Sequence, residues 1–182
     1  MSINQAPAAQ SVAQPFARAQ EFTSRDFRDA VGAFATGVNV ITTRGEEHAY
    51  GMTANAFSSV SLDPPLILVC VGLAAEGRHA IERNNVFAVN ILGAEQEPLS
   101  RYFASKERPR GRDAFRDVPH RVEVTGSPII EGTLGFLDCA LHAGHEAGDH
   151  MVFIGEVLAL GTAADVAPLL FHAGGYRYLD RG

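Results

Sequence analysis

The sequence predicts one domain that is mainly β, an antiparallel barrel with α-helical cover. Three observations lead to this prediction: about seven short apolar segments rich in β-branched residues, connections of mostly hairpin length, and only three short stretches with helical spacing. Alternating βαβ units are not indicated, and no GxGxxG sequence follows any predicted strand. The chain therefore lacks the Rossmann fingerprint by which many proteins bind dinucleotides.

Size and composition restrict the class of protein. A chain of 182 residues with 46% hydrophobic content can bury a substantial core without crosslinks. A net charge of −6 and the absence of a basic run argue against a nucleic-acid partner. No apolar run approaches the roughly 18 residues needed to span a bilayer, so we expect a soluble protein with no membrane partner. Cys70 and Cys139 both lie in apolar segments, which favours a reducing cytoplasm over a disulfide framework.

The N-terminal segment differs in character from the rest. Residues 1–21 are rich in Ala and Gln, contain Pro7 and Pro15, and lack the apolar core of a secretory signal. We expect a disordered tail or an arm that lies over a neighbouring subunit. Residues 22–182 then form the domain.

The first predicted element is a helix that begins at Thr23 or Ser24 and ends at Gly37. Either hydroxyl can cap the helix, and the apolar residues that follow have helical spacing. These residues, which share one face, are Phe27, Val31 and Phe34.

Strands follow the first helix. Val38–Thr43 is β-branched and connects through the turn Arg44–Glu47 to a second strand at Ala49–Thr53. Leu66–Val71 is a continuous apolar run, which predicts a strand buried on both faces.

The residues between these strands are small and rich in hydroxyl groups. The polar members of this segment are Thr53, Asn55, Ser58, Ser59 and Ser61. A polar segment beside a buried strand can line a pocket for a large, flat ligand with polar edges. The same composition suits an ordinary core hairpin, and the residues alone leave both interpretations open.

Two further helices and a strand complete the first half. Ala75–Arg83 is predicted as a short helix that Asn84 and Asn85 terminate, and Val86–Leu92 as an apolar strand. Glu95–Ala104 is predicted as a helix. Pro98 is tolerated in it because a proline in the first turn breaks no hydrogen bond of the helix.

The second half begins with a charged loop, Ser105–His120, which we expect to lie on the surface and to be mobile without a ligand. Strands follow, of which the two long ones are joined by a tight turn at Glu146–Asp149 and should pair as a hairpin. The predicted strands are Arg121–Val124, Leu134–His145, Met151–Leu160 and Tyr176–Leu179.

Five segments, in this order along the chain, resemble the flavin reductase family, the small reductase components of two-component flavin-dependent monooxygenases. The resemblance covers about Phe22 to Leu179. The segments are FRDAVGAFATGVNVITT, GMTANAFSSVSLDPPLILVCV, FAVNILGAEQEPLSRYFASK, GDHMVFIGEV and PLLFHAGGYRYL. The resemblance implies a split β-barrel homodimer that binds FMN or FAD without a covalent link. It also implies that NADH or NADPH supplies a hydride and that reduced flavin passes to a separate oxygenase component.

The resemblance also implies two walls for the flavin ring. The small-residue stretch that lies against the isoalloxazine matches Thr53, Ala54 and Asn55. The opposite wall matches Cys70, Val71 and Gly72. The Cys70 side chain is interpreted as core filling and not as a catalytic thiol, because no electropositive neighbour is indicated.

The flavin phosphate requires donors or cations. By resemblance, these are the hydroxyl run of Ser58, Ser59 and Ser61 and the pair Ser105 and Lys106. Arg78 stands in a region where relatives often have Ser or Thr, and its cation could substitute for that contact.

The Gly-Asp-His motif before the last long strand places His150 near the nicotinamide, again by resemblance. Its imidazole can hydrogen-bond the carboxamide or ribose, so His150 is the predicted catalytic-site residue. From the residues alone, a simple turn histidine is the favoured interpretation. No metal site is predicted, because His142 and His145 point to opposite faces of a strand and no close carboxylate or cysteine completes a set.

Two other functions stay open at this stage. One is a split-barrel protein that holds flavin without turnover. The other is an oxidase that resembles pyridoxine-phosphate oxidases, in which Arg108, Arg110 and Arg112 would bind a substrate phosphate. The sequence also leaves open FMN against FAD, NADH against NADPH, and the identity of the oxygenase.

Overall fold

The structure, a computed structural model, describes residues 21–45 and 49–179. The predicted tail lies outside the described residues except for Glu21. The helices are α1 Ser24–Gly32, α2 Glu76–Asn84 and α3 Glu97–Ala104. The strands are β1 Thr36–Gly37, β2 Asn39–Thr43, β3 Tyr50–Ala54, β4 Phe57–Leu62, β5 Pro65–Gly72, β6 Val86–Ile91, β7 His120–Val122, β8 Pro128–Ile130, β9 Gly135–Ala147, β10 His150–Thr162, β11 Leu170–His172 and β12 Gly175–Arg177.

Seven strands form the main sheet, in the order β3-β2-β6-β9-β10-β5-β4, and every neighbouring pair is antiparallel. The two edge strands, β3 and β4, follow each other in the chain and are joined only by Asn55 and Ala56. They do not pair with each other, so the curled sheet stays open along one seam. This arrangement confirms the predicted antiparallel, mainly β fold with helical cover.

Two apolar clusters pack on the main sheet. The first lies between β5, β6, β9 and β10 and includes Phe87 and Phe153, with Ile81 of α2 packed against them. The second lies on the other side of β2 and includes Phe103 of α3 and Phe115. All five residues of β2 are buried as a result, because this strand has a cluster on each face.

A buried amide ties the second cluster to the sheet. Asn90 on β6 is fully buried, and its Nδ2 lies 3.1 Å from both the Val40 carbonyl oxygen and Thr42 Oγ1. Its Oδ1 accepts a hydrogen bond of 2.8 Å from the Ile130 amide. One side chain therefore connects β6 with β2 and β8.

The first helix begins where the sequence predicts and ends earlier. Thr23 is the N-cap, and it forms a capping box with Asp26. The helix ends at Gly32 and not at Gly37 as predicted. The reason is tertiary pairing, because Thr36 and Gly37 form β1 against β11.

The other helices agree with the predictions. Asn85 ends α2 in the left-handed conformation, with φ of 55°, and its amide donates to the Ile81 carbonyl over 2.8 Å. A short 3-10 turn precedes α3, and Pro98 lies in the first turn of that helix. No helix in the described part of the chain is both long enough and apolar enough to cross a bilayer.

The prediction that Leu66–Val71 is buried on both faces is wrong. In β5 burial alternates, with Ile67, Val69 and Val71 buried and the intervening side chains half-buried. The hydroxyl-rich segment before it is itself a strand, β4, which pairs with β5 as a hairpin. The sequence left open a core hairpin or the wall of a pocket for these segments, and both hold in part. The two segments form a hairpin, and the end of β5 reaches the cleft described below.

The charged loop Ser105–His120 is less exposed than predicted. A 3-10 helix at Gly111–Phe115 buries Ala114 and Phe115, and the Phe115 ring lies 5.4 Å from that of Phe103. This loop is therefore anchored in the second cluster.

The long hairpin is confirmed. β9 and β10 pair over their full length around the two-residue turn Gly148–Asp149, which is shorter than the predicted turn. The strands at Arg121–Val124 and Tyr176–Leu179 are present with shifted bounds, as β7 and β12. The prediction of about seven strands is too low because it omits β4 and several strands of two or three residues.

Candidate active site

A cleft of about 600 Å³ lies at the seam of the sheet. Its walls are β3 with Asn55–Ala56, the end of β5, the first turn of α2, and the loop from Lys106 to Gly111. The side chain of His150 completes the border. The volume falls within the range of about 300–1,000 Å³ that is usual for ligand sites.

Two glycines allow the cleft walls to pack closely on β3. A Cβ at Gly51 would lie 2.5 Å from the Phe103 ring. A Cβ at Gly77 would lie 2.5 Å from Met52 Sδ and 2.9 Å from the Tyr50 ring. Because both positions lack a side chain, α3 and α2 can approach opposite parts of the same strand.

The structure brings together all six residues predicted to contact the flavin ring. Thr53, Ala54 and Asn55 border one side of the cleft. The residues that border the other side are Cys70, Val71 and Gly72. The Thr53 hydroxyl donates to the Ser100 carbonyl over 2.6 Å, so towards a ligand its oxygen can only accept.

Strand pairing positions His150 at the same cleft. It is the first residue of β10 and pairs with Gly72, and the Leu73 amide donates to the Asp149 carbonyl over 2.9 Å. Its Nδ1 lies 2.7 Å from Asp149 Oδ1, and this hydrogen bond lowers the pKa of the Asp149 carboxyl below its usual value. Because Nδ1–H donates to the carboxylate, Nε2 of the neutral ring is left as an acceptor.

The residues predicted to contact phosphate are divided by the structure. Lys106 borders the cleft, but its neighbour Ser105 does not, and the Ser105 hydroxyl accepts from the Glu107 amide over 3.1 Å. Arg78 lies outside the cleft and pairs with Glu82 at 2.9 Å. The remaining three lie on edge strand β4 and do not line the cleft: Ser58, Ser59 and Ser61.

Arg108 is a cleft residue that was predicted only as one of three loop arginines able to bind a phosphate, and not as a contact of the flavin. Its Nη2 donates to the Gly51 carbonyl over 2.5 Å, and its Nη1 donates to the Ser105 carbonyl. The guanidinium carbon lies 5.1 Å from the centre of the Tyr50 ring. The sequence signal was the group of three arginines in this loop, but only the fold shows that Arg108 turns inward.

Burial governs the chemistry of both cysteines. It raises the pKa of the half-buried Cys70 thiol, which borders the cleft. It also raises the pKa of Cys139 to about 12, with a further contribution from the Asp138 charge. Both thiols are therefore protonated at neutral pH, which agrees with a structural role. Among the described residues, no group of three or more His, Cys, Asp or Glu could hold a metal ion.

We expect Cys70 to report on ligand binding. Iodoacetamide should label Cys70 slowly at pH 7, because only the thiolate reacts. As long as the pH stays below the pKa of the thiol, the labelling rate should rise about tenfold for each unit by which the pH is raised. Saturating FMN should slow the labelling, whereas the fully buried Cys139 should stay unlabelled in native protein. Peptide mass spectrometry measures both sites. An unchanged Cys70 rate with saturating FMN would contradict a flavin position against the end of β5.

The cleft has small apolar walls, acceptors along one side, and the cations Lys106 and Arg108 at one end. Such a site suits a flat ring with polar edges that carries a phosphate. The fold and the site together define a split-barrel protein that binds a nucleotide-like ligand at its seam.

Comparisons with known proteins identify the family. A family model described as flavin reductase like domain matches residues 31–180. The chain is 43% identical over 151 residues to an NADH-dependent FAD reductase of Streptomyces globisporus, covering 82% of each chain. It is 40% identical over 158 residues to HsaB, a flavin-dependent monooxygenase reductase subunit of Mycobacterium tuberculosis, covering 86% of this chain and 82% of that one. It also resembles the structure of flavin reductase PheA2 in its native state, with a TM-score of 0.79 and 42% sequence identity. The match covers 88% of this chain and 100% of the PheA2 chain.

The chain belongs to the flavin reductase family. This result confirms the family and the fold class predicted from the sequence.

Proposed function

We propose that this protein oxidises NADH and reduces FMN or FAD, which it binds without a covalent link. The observation that carries the proposal is the pairing of His150 with Gly72. This pairing places an imidazole at the border of a cleft whose walls suit a flavin ring. A protein that only stored flavin would have no use for a nicotinamide contact at this position.

The cleft residues divide into three roles. The segments Thr53–Asn55 and Cys70–Gly72 hold the flavin ring between small side chains and backbone. Lys106 and Arg108 neutralise its phosphate. His150 orients the nicotinamide by accepting a hydrogen bond from its carboxamide at Nε2. The bound flavin supplies the redox chemistry, so the protein contributes position and electrostatics.

Anaerobic mixing tests this activity. Purified protein should bleach the absorbance of added flavin with NADH, and NADH oxidation should require free or bound flavin. If neither NADH nor NADPH reduces flavin under these conditions, the reductase function is wrong. A pyridoxine-phosphate oxidase would instead turn over its phosphorylated amine or alcohol substrate with dioxygen, so parallel assays separate the two enzymes.

We further propose that the reduced flavin leaves the cleft and serves a separate oxygenase component. Two features support release: the cleft is open to solvent along the seam, and the contacts we assign are non-covalent. The cytoplasm is the proposed location, since both cysteines are free thiols in the structure and the cytoplasm keeps thiols reduced.

A symmetric homodimer is the proposed assembly. Helix α1 has nine residues and buries none of them, although isolated helices this short are marginal in water. Phe27 and Val31 on this helix, and Phe34 two residues beyond its end, are each more than half exposed, and the Phe22 ring stacks on Phe27 at 6.3 Å. A second copy of the chain would cover this apolar face and stabilise the helix.

The dimer predicts the effect of a charge on α1. Phe27→Asp should raise the dimer dissociation constant at least about tenfold, because it buries a carboxylate in an apolar contact. Light scattering should then give the 19.5 kDa mass of one chain at micromolar concentration, against twice that mass for the wild type. Arg25→Asp is the control, because it places the same carboxylate about 200° away around the helix. A wild-type protein with the mass of one chain would overturn the proposed dimer.

A further inference from the structure

A second cavity opens beside the cleft. It measures about 330 Å³ and lies between the first two turns of α2, the start of β3 and the loop at Gly111. The cleft and this cavity share several residues, among them Tyr50, Glu76 and Arg110. A ligand longer than a flavin ring and its phosphate can therefore extend from one into the other.

An ion pair stands where the two cavities meet. The Arg110 guanidinium donates to the Glu76 carboxylate, and this contact joins the loop that borders the cleft to the first turn of α2. Both side chains are more than half exposed. Exposed ion pairs contribute little to stability, about 0–1 kcal/mol, so this pair is not needed to hold the fold.

The ion pair controls the charge that a ligand would meet. The second cavity is also bordered by Arg83 and His79 of α2, so without Glu76 it would attract anions. With Glu76 present, Arg110 is already paired, and a second phosphate placed here would face a carboxylate. Such a cavity accepts an uncharged sugar and base but disfavours a phosphate monoester.

We propose that Glu76 is the residue that selects NADH against NADPH. The inference rests on the proposed function and assigns the second cavity to the adenosine ribose of the electron donor. The Glu76 carboxylate repels a 2′-phosphate and withholds Arg110 from it. Removing this carboxylate frees Arg110, together with Arg83, to bind that phosphate.

The first test measures donor selection. Glu76→Gln keeps the size of the side chain, and it should raise the ratio of kcat/KM for NADPH to that for NADH about tenfold. The gain should shrink at high salt, since the new contact is exposed and electrostatic. The double variant with Arg110→Gln should lose most of the gain. Glu123→Gln is the matched control, because Glu123 is also an ion-paired glutamate, and neither it nor its partner Arg121 borders either cavity.

The second test needs no turnover. Calorimetry with adenosine 2′,5′-bisphosphate in the presence of FMN should show at least about fivefold tighter binding to Glu76→Gln than to wild type. Adenosine 5′-monophosphate, which lacks the 2′-phosphate, is the reference ligand. This measurement separates the two proposals, because it can succeed or fail whether or not NADH reduces flavin.

Two outcomes would overturn the inference. One is that Glu76→Gln leaves unchanged both the ratio of kcat/KM for NADPH to that for NADH and the affinity for adenosine 2′,5′-bisphosphate. The other is that Glu76→Gln changes the affinity for FAD relative to FMN but leaves the NADPH to NADH ratio of kcat/KM unchanged. That result would assign the second cavity to the adenosine half of FAD.

Discussion

Replacing His150 with Ala is expected to lower kcat/KM for NADH by about 10- to 100-fold. This range corresponds to the loss of one hydrogen bond of about 1–3 kcal/mol that strengthens during hydride transfer. The flavin dissociation constant should change little, since the flavin is held by the ends of β3 and β5. Steady-state kinetics with varied NADH and a separate flavin titration measure the two effects.

Lys106→Ala is the matched contrast to the His150 variant, and Ser105→Ala serves as its neighbour control. Lys106 borders the cleft, whereas the Ser105 hydroxyl is bonded to the Glu107 amide. Lys106→Ala should therefore weaken flavin binding first, and Ser105→Ala should weaken it less. Wild-type NADH kinetics in the His150 variant would return that residue to the role of a turn histidine.

Asn90→Leu is expected to destabilise the fold by about 3–5 kcal/mol. The substitution removes the hydrogen bonds of a fully buried amide and leaves the Ile130 amide and the Val40 carbonyl without that partner. In a domain of this size the loss should lower Tm by roughly 10 °C or more. Thermal or denaturant unfolding measures the change.

A pair of identical substitutions provides the comparison. Thr42→Val removes a buried hydroxyl that donates to the Pro128 carbonyl over 2.6 Å and should cost about 1–3 kcal/mol. Thr162→Val changes an exposed side chain near the end of β10 and should stay within about 0.5 kcal/mol of wild type. Equal stability of the Asn90 and Thr162 variants would contradict a stabilising role for the buried amide.

Much of the fold follows from local signals in the sequence. Thr23 with Asp26 fixes the start of α1, and the Asn84-Asn85 pair ends α2 where the left-handed residue is needed. The turn at Gly148–Asp149 between two long apolar segments determines the β9–β10 hairpin. These features depend on neighbours within a few residues, so pattern alone is sufficient to predict them.

Other features depend on packing that no local pattern records. The apolar run in β5 predicts burial on both faces, but the chain fully buries only Ile67, Val69 and Val71 and leaves the side chains between them half-buried. An apolar run cannot distinguish cover by its own core from cover by another subunit. Likewise, the direction of Arg108 is set by the carbonyls of Gly51 and Ser105, which the fold brings beside it.

The open seam links ligand binding to the completeness of folding. On one side of the cleft, β3 and β4 are joined by two residues of chain, Asn55 and Ala56. The Cys70 amide of β5 donates to the Ala56 carbonyl over 3.0 Å, and a second route from β3 to β5 runs around the sheet through the successive ladders of β2, β6, β9 and β10. The separation of the two walls is therefore set both by the local β4–β5 hairpin and by these ladders, several of which join residues far apart in sequence. Flavin affinity thus serves as a probe of the native state, and a partly folded chain forfeits the ligand's stabilisation by mass action.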